Sequence, residues 1–252
     1  MPEELLRRIR ILADELDLPC HVHLHETAHE IDLAIATSGE RPLARLSRLG
    51  FIDGRLIAVH MTQLLPQEIA LLATHGVRVV HCPESNLKLA SGIAPLARLL
   101  AHGVTVGLGT DGAASNNDLD LLGEARTAAL LAKVAAHDPS QAPVAKILEL
   151  ATLDGARVLG LEDRTGSLLP GKEADLCAVD LLGDPTRGPI YDPASHLVYS
   201  ASGRDVTHVW VGGELVVEDR RLLTIDEEDL ARRVDSWRST LAPATASEAT
   251  RR

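Results

Sequence analysis

The sequence predicts an α/β fold built on a parallel sheet. Two patterns carry the prediction. Short apolar runs rich in Val, Ile and Leu alternate with segments of helical period, and several of those segments close on a glycine. The third observation is positional. His23, His60, His81 and Asp111 each end or follow an apolar run, where barrels and doubly wound sheets place their sites.

Residues 3–16 read as a helix, with Leu5, Leu6, Ile9, Leu12, Ala13 and Leu16 at helical spacing. Pro19 breaks that pattern, and CHVHL follows as a strand. TAHEIDLAIA reads as a helix, and RPLARLSRLG as a second, stopped by Gly50. The rhythm then repeats. LIAVH (56–60) is a strand, and LPQEIALLATHG is a helix closed by Gly76. VRVVHC (77–82) is a strand, CPESNLKLASG a polar loop, and IAPLARLLAHG a helix closed by Gly103. VTVGLGT (104–110) is a strand, and a long helix runs from about Leu119 to Ala136.

These are four βα units, whereas a closed (β/α)8 barrel takes eight and about 250 residues. The rest of the chain does not supply four more. QAPVAKILELATLDGARVLG is helical, and GSLLPGKEADLCAVDL is a turn leading into a strand. DVTHVWVGGELVVEDRRLL reads as two strands joined at Gly212-Gly213. The last stretch reads as a helix with a frayed tail.

Composition narrows the class. The 252 residues are 45% apolar, enough for a large core, but only 2% aromatic, so aliphatic side chains must fill it. A net charge of -11 without a basic stripe argues against nucleic acid. No apolar stretch approaches membrane-spanning length, and residues 1–18 lack the apolar core of a signal peptide. Cys20, Cys82 and Cys177 have no paired spacing, so a reducing cytoplasm is expected.

In HVHLHET, His21, His23 and His25 would share one face of a strand that stayed extended. An imidazole at a strand end suits zinc or iron. Glu26, three residues after His23, is placed to shuttle protons in a metal-assisted hydrolysis. Solvated or core histidines with a capping Glu are the competing reading. His60 could equally be a satisfied core histidine. Asp111, directly after VTVGLGT, can bind metal and accept a proton from water, or serve as a turn or cap residue. The loop after His81 holds Ser85, Asn86, Lys88 and Ser91, which could line a pocket, or Asn86 could bond its own backbone. His29, His75, His102, His137, His196 and His208 read as ordinary surface or packing residues.

The segments HVHLHET, LIAVH, ATLDGARVLG and GSLLPGKEADLCAVDL, with the long block from His81 to Leu131, resemble the amidohydrolase superfamily. Within it they are most similar to the 5-methylthioadenosine/S-adenosylhomocysteine deaminases and their chlorohydrolase relatives. The resemblance implies a metal-dependent (β/α)8 TIM barrel plus a small β-sandwich, and one divalent metal ion, zinc or else iron. His23 would be a metal ligand from strand five. Glu26 would be the proton shuttle and touch the purine edge. His60, at the end of strand six, would polarise the attacking water or the substrate, and in some relatives it is itself a ligand. Asp111, after strand eight, would bind metal and help deprotonate water. Glu26, His60 and Asp111 would together contact substrate, while His81 and Asn86 would lie near the pocket without a ligand role.

The family also carries a His-x-His ligand pair on strand one. His21 and His23 are not that pair, because only 37 residues separate His23 from His60 and the Glu at +3 fits strand five. Strands one to four are therefore expected to lie outside this chain. The expected organisation is the second half of the barrel (strands 5–8) over residues 1–160, the C-terminal part of the β-sandwich over 161–225, and a helix and tail over 226–252. The implied reaction is deamination of an adenine ring in a purine nucleoside, with little activity from this chain alone and a homo-oligomer for the full-length form. The alternatives are a ring deaminase or chlorohydrolase acting on guanine, a triazine or a cyclic amide, and a non-catalytic remnant.

Overall fold

A computed structural model describes residues 1–248, which fall into two compact units. The first comprises residues 1–172 and 181–205, the second residues 173–180 and the described residues from 206 onward.

The first unit runs α1 (Glu3–Glu15), β1 (Cys20–Leu24), α2 (Ala28–Ser38), α3 (Pro42–Arg48), β2 (Leu56–His60), α4 (Pro66–Thr74), β3 (Arg78–His81), α5 (Pro83–Lys88), α6 (Leu96–Ala101), β4 (Val106–Leu108), α7 (Leu121–Ala136), α8 (Val144–Ala151), α9 (Leu153–Leu159) and α10 (Pro193–Tyr199). Its four strands form one parallel sheet in the order β1-β2-β3-β4. All five residues of β2 are buried, as a continuous apolar run predicts for a central parallel strand. In β1, at the edge, burial alternates and His21 and His23 are exposed.

Leu43, Leu56, Ile69, Leu72, Leu96, Leu99, Ile147 and Leu150 are fully buried in one aliphatic core. Each contributes roughly 1.5–3 kcal/mol by leaving water. An alanine stripe on α7 (Ala125, Ala128, Ala129, Ala132) lets that long helix approach its neighbours closely. At β4 the approach is closer still: a Cβ on Gly107 would lie 3.0 Å from the Gly155 Cα on α9.

The structure departs from the sequence reading in four places. Residues 83–88, read as loop, form α5, whose single turn is too short to leave a periodic signal. Residues 144–159 are two helices, because Thr152 sits at φ −130, ψ −92 and breaks the run. Residues 193–199 form α10, capped by the Asp192 carboxylate. Finally, β1 does not stay extended through His25. That residue turns left-handed (φ 52) and enters the core instead of joining His21 and His23.

The second unit is an antiparallel sheet of β5 (Leu176–Val179), β6 (Val206–Val211), β7 (Glu214–Glu218) and β8 (Arg221–Leu222), with helix α11 (Glu227–Glu248). Gly212 and Gly213 take φ 57 and 85, the left-handed pair that a tight hairpin requires. The Asp175 carboxylate accepts the Gly212 N–H at 2.7 Å, and His208 stacks on Trp210 with ring centroids 5.6 Å apart. The expected tail, residues 249–252, lies outside the described residues. No helix among the described residues is long and apolar enough to cross a membrane.

Candidate active site

The polar residues converge where the parallel strands end, and the backbone there is unusual. His25, His60, Met61 and Asp111 all adopt left-handed φ, at 52, 76, 52 and 62. A non-glycine residue in that region costs on the order of 1 kcal/mol or more. Four such residues at the ends of β1, β2 and β4 persist because neighbouring backbone bonds hold them. Met61 donates to the Leu24 carbonyl at 3.2 Å and Gln63 to the His25 carbonyl at 3.0 Å. Strain gathered at strand ends is a mark of a functional site.

The turns point four side chains at one another. His23, Glu26 and His60 each offer a ligand atom, all within 4.8 Å of one another. The rings of His23 and His60 meet edge-on with centroids 4.8 Å apart. His23 Nε2 lies 3.9 Å from Asp111 Oδ1, and His60 Nε2 lies 3.9 Å from Glu26 Oε2. His81, at the end of β3, is 1% exposed and is not one of the three residues that offer those ligand atoms. Burial, helped by nearby His60, pushes its imidazole down to about 4, so it stays neutral.

A bond to Asn86 fixes the state of His60. Asn86 Oδ1 lies 2.8 Å from His60 Nδ1, and an amide oxygen only accepts, so Nδ1 carries the proton. His60 Nε2 is then a bare lone pair, buried and without a hydrogen-bond partner. Asp111 is oriented in the same manner. Its Oδ2 accepts Ser85 Oγ at 2.7 Å and Ser115 Oγ at 2.5 Å, leaving Oδ1 toward His23. Burial raises the Asp111 carboxyl, but bonds from Ser115, Ser85 and the Gly112 N–H outweigh it, and the group titrates below its ordinary value. The site thus gathers the bare nitrogen of His60, the ionised carboxylate of Asp111, a second carboxylate and another imidazole. A divalent cation fits such a cluster, and nitrogen with carboxylate oxygen suits zinc or iron.

Glu26 is held by its surroundings. Its Oε1 accepts Ser91 Oγ at 3.1 Å, and its carbonyl accepts Thr62 Oγ1 at 2.6 Å. The Glu30 carboxylate accepts the N–H groups of His25 and Glu26 at 3.1 and 2.7 Å. Thr27 caps the same helix by accepting the Glu30 N–H at 3.0 Å. Beneath this turn, Arg41 forks onto Glu68 at 2.6 and 2.9 Å and donates to the Gln63 carbonyl at 2.5 Å. His25 Nε2 accepts the Leu43 N–H at 3.0 Å, so burial keeps this imidazole neutral as well.

The sequence reading did not single out Glu30, Arg41, Glu68, Ser115 or Glu124. The Thr27-x-x-Glu30 spacing is a capping-box signature and marks Glu30. Glu124 shares the inward helical face with Ala125, Ala128 and Ala132, an acid where an apolar residue belongs. Nothing local marks Arg41 or Glu68.

The model of the amidohydrolase family matches residues 1–216. The 5-methylthioadenosine/S-adenosylhomocysteine deaminase of Teredinibacter turnerae is 47% identical over 236 residues, covering 94% of this chain and 53% of that protein. A zinc-bound crystal structure of an adenosine deaminase from Xanthomonas campestris superposes with a TM-score of 0.94 at 48% identity, covering 96% of this chain and 55% of the other. Atrazine chlorohydrolase from Arthrobacter aurescens TC1, also complexed with zinc, gives a TM-score of 0.81 at 29% identity over 93% of this chain and 52% of its own. The chain spans about half the length of the curated relatives it matches. Its parallel βα units are those expected of part of a metal-hydrolase barrel. With strand-end ligand atoms, a family model over most of its length and relatives at this identity, the chain belongs to the amidohydrolase family.

Proposed function

We infer that this chain carries the later half of a metal-dependent aminohydrolase site that removes ammonia from an adenine ring, with 5-methylthioadenosine, S-adenosylhomocysteine or a close adenosine relative as substrate. The observation that carries the reading is the convergence of His23, Glu26, His60 and Asp111 at the strand ends, with His60 Nε2 buried and unpartnered. The deaminase names of its relatives select the reaction class.

His23 and Asp111 would hold the ion, with His60 as the candidate third ligand. When bound, zinc, or iron in second place, acts as a Lewis acid that makes water a nucleophile near neutral pH. Asp111 Oδ1 accepts the proton from water, since Ser85 and Ser115 already occupy Oδ2. His60 Nε2, held bare by Asn86, orients the attacking water or the substrate. Glu26 Oε2 delivers a proton to the ring nitrogen, while Ser91 holds its other oxygen. The water oxygen bonds to C6, Asp111 passes the proton it took to the amino group, the C6–N bond breaks to release ammonia, and the new C6 hydroxyl returns a proton to Glu26 to leave a C6 carbonyl. His81 and Asn86 line the pocket without binding the ion. Cys20, Cys82 and Cys177 are unpaired, which supports a reducing cytoplasmic setting.

Two His and one Asp make at most three ligands, so the chain alone is expected to hold zinc weakly and release ammonia slowly. The test joins it to the portion of the Teredinibacter deaminase outside the match and follows ammonia from a panel of adenosines, guanine and a chlorotriazine. Ammonia from 5-methylthioadenosine, lost in Asp111→Asn and Glu26→Gln, is the expected result. A folded, zinc-loaded chimera that leaves every adenosine intact would overturn the reading, and chloride from the triazine would replace it with the chlorohydrolase.

A further inference from the structure

His60 and Asp111 stand on different strands, yet one short helix holds both. Asn86 of α5 orients His60 Nδ1, and the adjacent Ser85 of α5 binds Asp111 Oδ2. Both α5 residues are buried. A helix of six residues cannot hold itself in place through its own bonds. Its position must come from outside.

That anchor is on α7. Glu124, with no exposed surface, accepts the Glu84 N–H at 3.0 Å through Oε2 and Asn116 Nδ2 at 2.8 Å through Oε1. Asn116 in turn gathers the β4–α7 loop, accepting the Leu119 N–H at 2.5 Å through its Oδ1. The α7 surface is shaped for this docking. Thr127, one turn on, donates to Glu84 Oε1 at 2.9 Å, and a Cβ at Gly123 would lie 3.2 Å from that same oxygen. A glycine inside a helix costs about 1 kcal/mol against alanine, and here the close seat of Glu84 accounts for it.

We propose that Glu124 is the positioning residue of the site: it seats α5 against α7, and α5 passes that position to His60 through Asn86 and to Asp111 through Ser85. The inference rests on reading His60 and Asp111 as site residues. A purely structural contact would not require a carboxylate, because an apolar side chain fills such a space at lower desolvation cost. Two N–H donors converge on Glu124, one from the first turn of α5 and one from the β4–α7 loop, and each meets a different oxygen of its carboxyl group. Burial is the larger influence on this group and pushes it up to about 7, opposed by the Glu84 N–H and joined by the charges of Glu84 and Asp118.

The test uses the full metal-free chain with 15N-labelled histidine and compares wild type with Glu124→Gln. A glutamine presents one acceptor and one donor to two donors, so one bond is lost with little change of shape. In wild type His60 is expected as a single Nδ1–H tautomer. In the variant its two tautomers should average, and the Glu84 amide should exchange at least tenfold faster. The His25 pattern should stay fixed, because its partners Leu43, Arg41 and Glu68 lie on other elements. Should the glutamine variant fail to fold, Glu124→Asp, one methylene too short to reach both donors, gives the same readout. An unchanged His60 tautomer in a folded variant overturns the proposal. A His60 response in a chain whose chimera deaminates nothing keeps the proposal and removes the functional reading instead.

Discussion

Replacing Glu68 by alanine should unlock the turn that carries Glu26 and destabilise the first unit by about 3–4 kcal/mol. The figure follows from what Glu68 holds. Its side chain is 10% exposed and accepts both arms of Arg41, at 2.6 and 2.9 Å, and the Leu65 N–H at the start of α4 at 2.8 Å. Breaking a buried pair by removing one partner costs roughly 3–5 kcal/mol, because the other charge stays behind. Arg41 is 22% exposed and keeps the Gln63 carbonyl, which places this pair at the lower end. Loss of the bond to the first turn of α4 adds about 1 kcal/mol. For an m-value of about 2–3 kcal/mol/M, the urea midpoint followed by far-ultraviolet circular dichroism should fall by roughly 1–2 M. The double variant Arg41→Met/Glu68→Leu should recover most of that loss, since no charge is then stranded. A midpoint within ~0.3 M of wild type in Glu68→Ala would refute the argument, because Arg41 would then resolvate freely.

Acid should unfold the chain partly through His81. Its folded value of about 4 lies below the ordinary 6.5, so its contribution is complete above pH 6.5 and is lost as pH falls toward 4. Linkage sets that loss at roughly 3 kcal/mol, and His81→Gln should flatten the melting temperature over this window. Glu124 runs the other way: its folded value of about 7 lies above the ordinary 4.5, so stability falls as pH rises from 4.5 to 7. Glu124→Gln should remove that decline in the same melting series. Gly107→Ala should cost about 1–3 kcal/mol by urea titration, since its Cβ would press on the Gly155 backbone at 3.0 Å. Zinc should raise the wild-type melting temperature, and His23→Ala or Asp111→Asn should abolish the rise. A zinc shift that survives both substitutions would place the ion elsewhere.

The parallel sheet was legible because its signal is local. LIAVH is an unbroken apolar run and becomes the fully buried β2. The residues that meet at the site were legible for the same reason, since His23, His60 and Asp111 each end or follow such a run. What holds them was not. His25 reads as a third outward histidine and instead turns left-handed into the core, where Leu43 meets it from 18 residues away. Asn86 looked like pocket lining, and its bond to His60 spans 26 residues. Arg41 and Glu68 are 27 residues apart, and only the packed fold joins them. Spacing reports which face a side chain leaves from, not which partner it reaches.

The division into two units has an optical consequence. Both tryptophans, Trp210 and Trp237, belong to the second unit, while the first holds only Phe51, Tyr191 and Tyr199. Tryptophan emission therefore arises in the unit of the small antiparallel sheet and its helix, and the unit that carries His23, His60 and Asp111 holds no tryptophan. A fluorescence melt could report an intact protein while the site unit had already opened. Phe51, buried in the aliphatic core beneath the Arg10 guanidinium, is the natural place to install an indole that would see it.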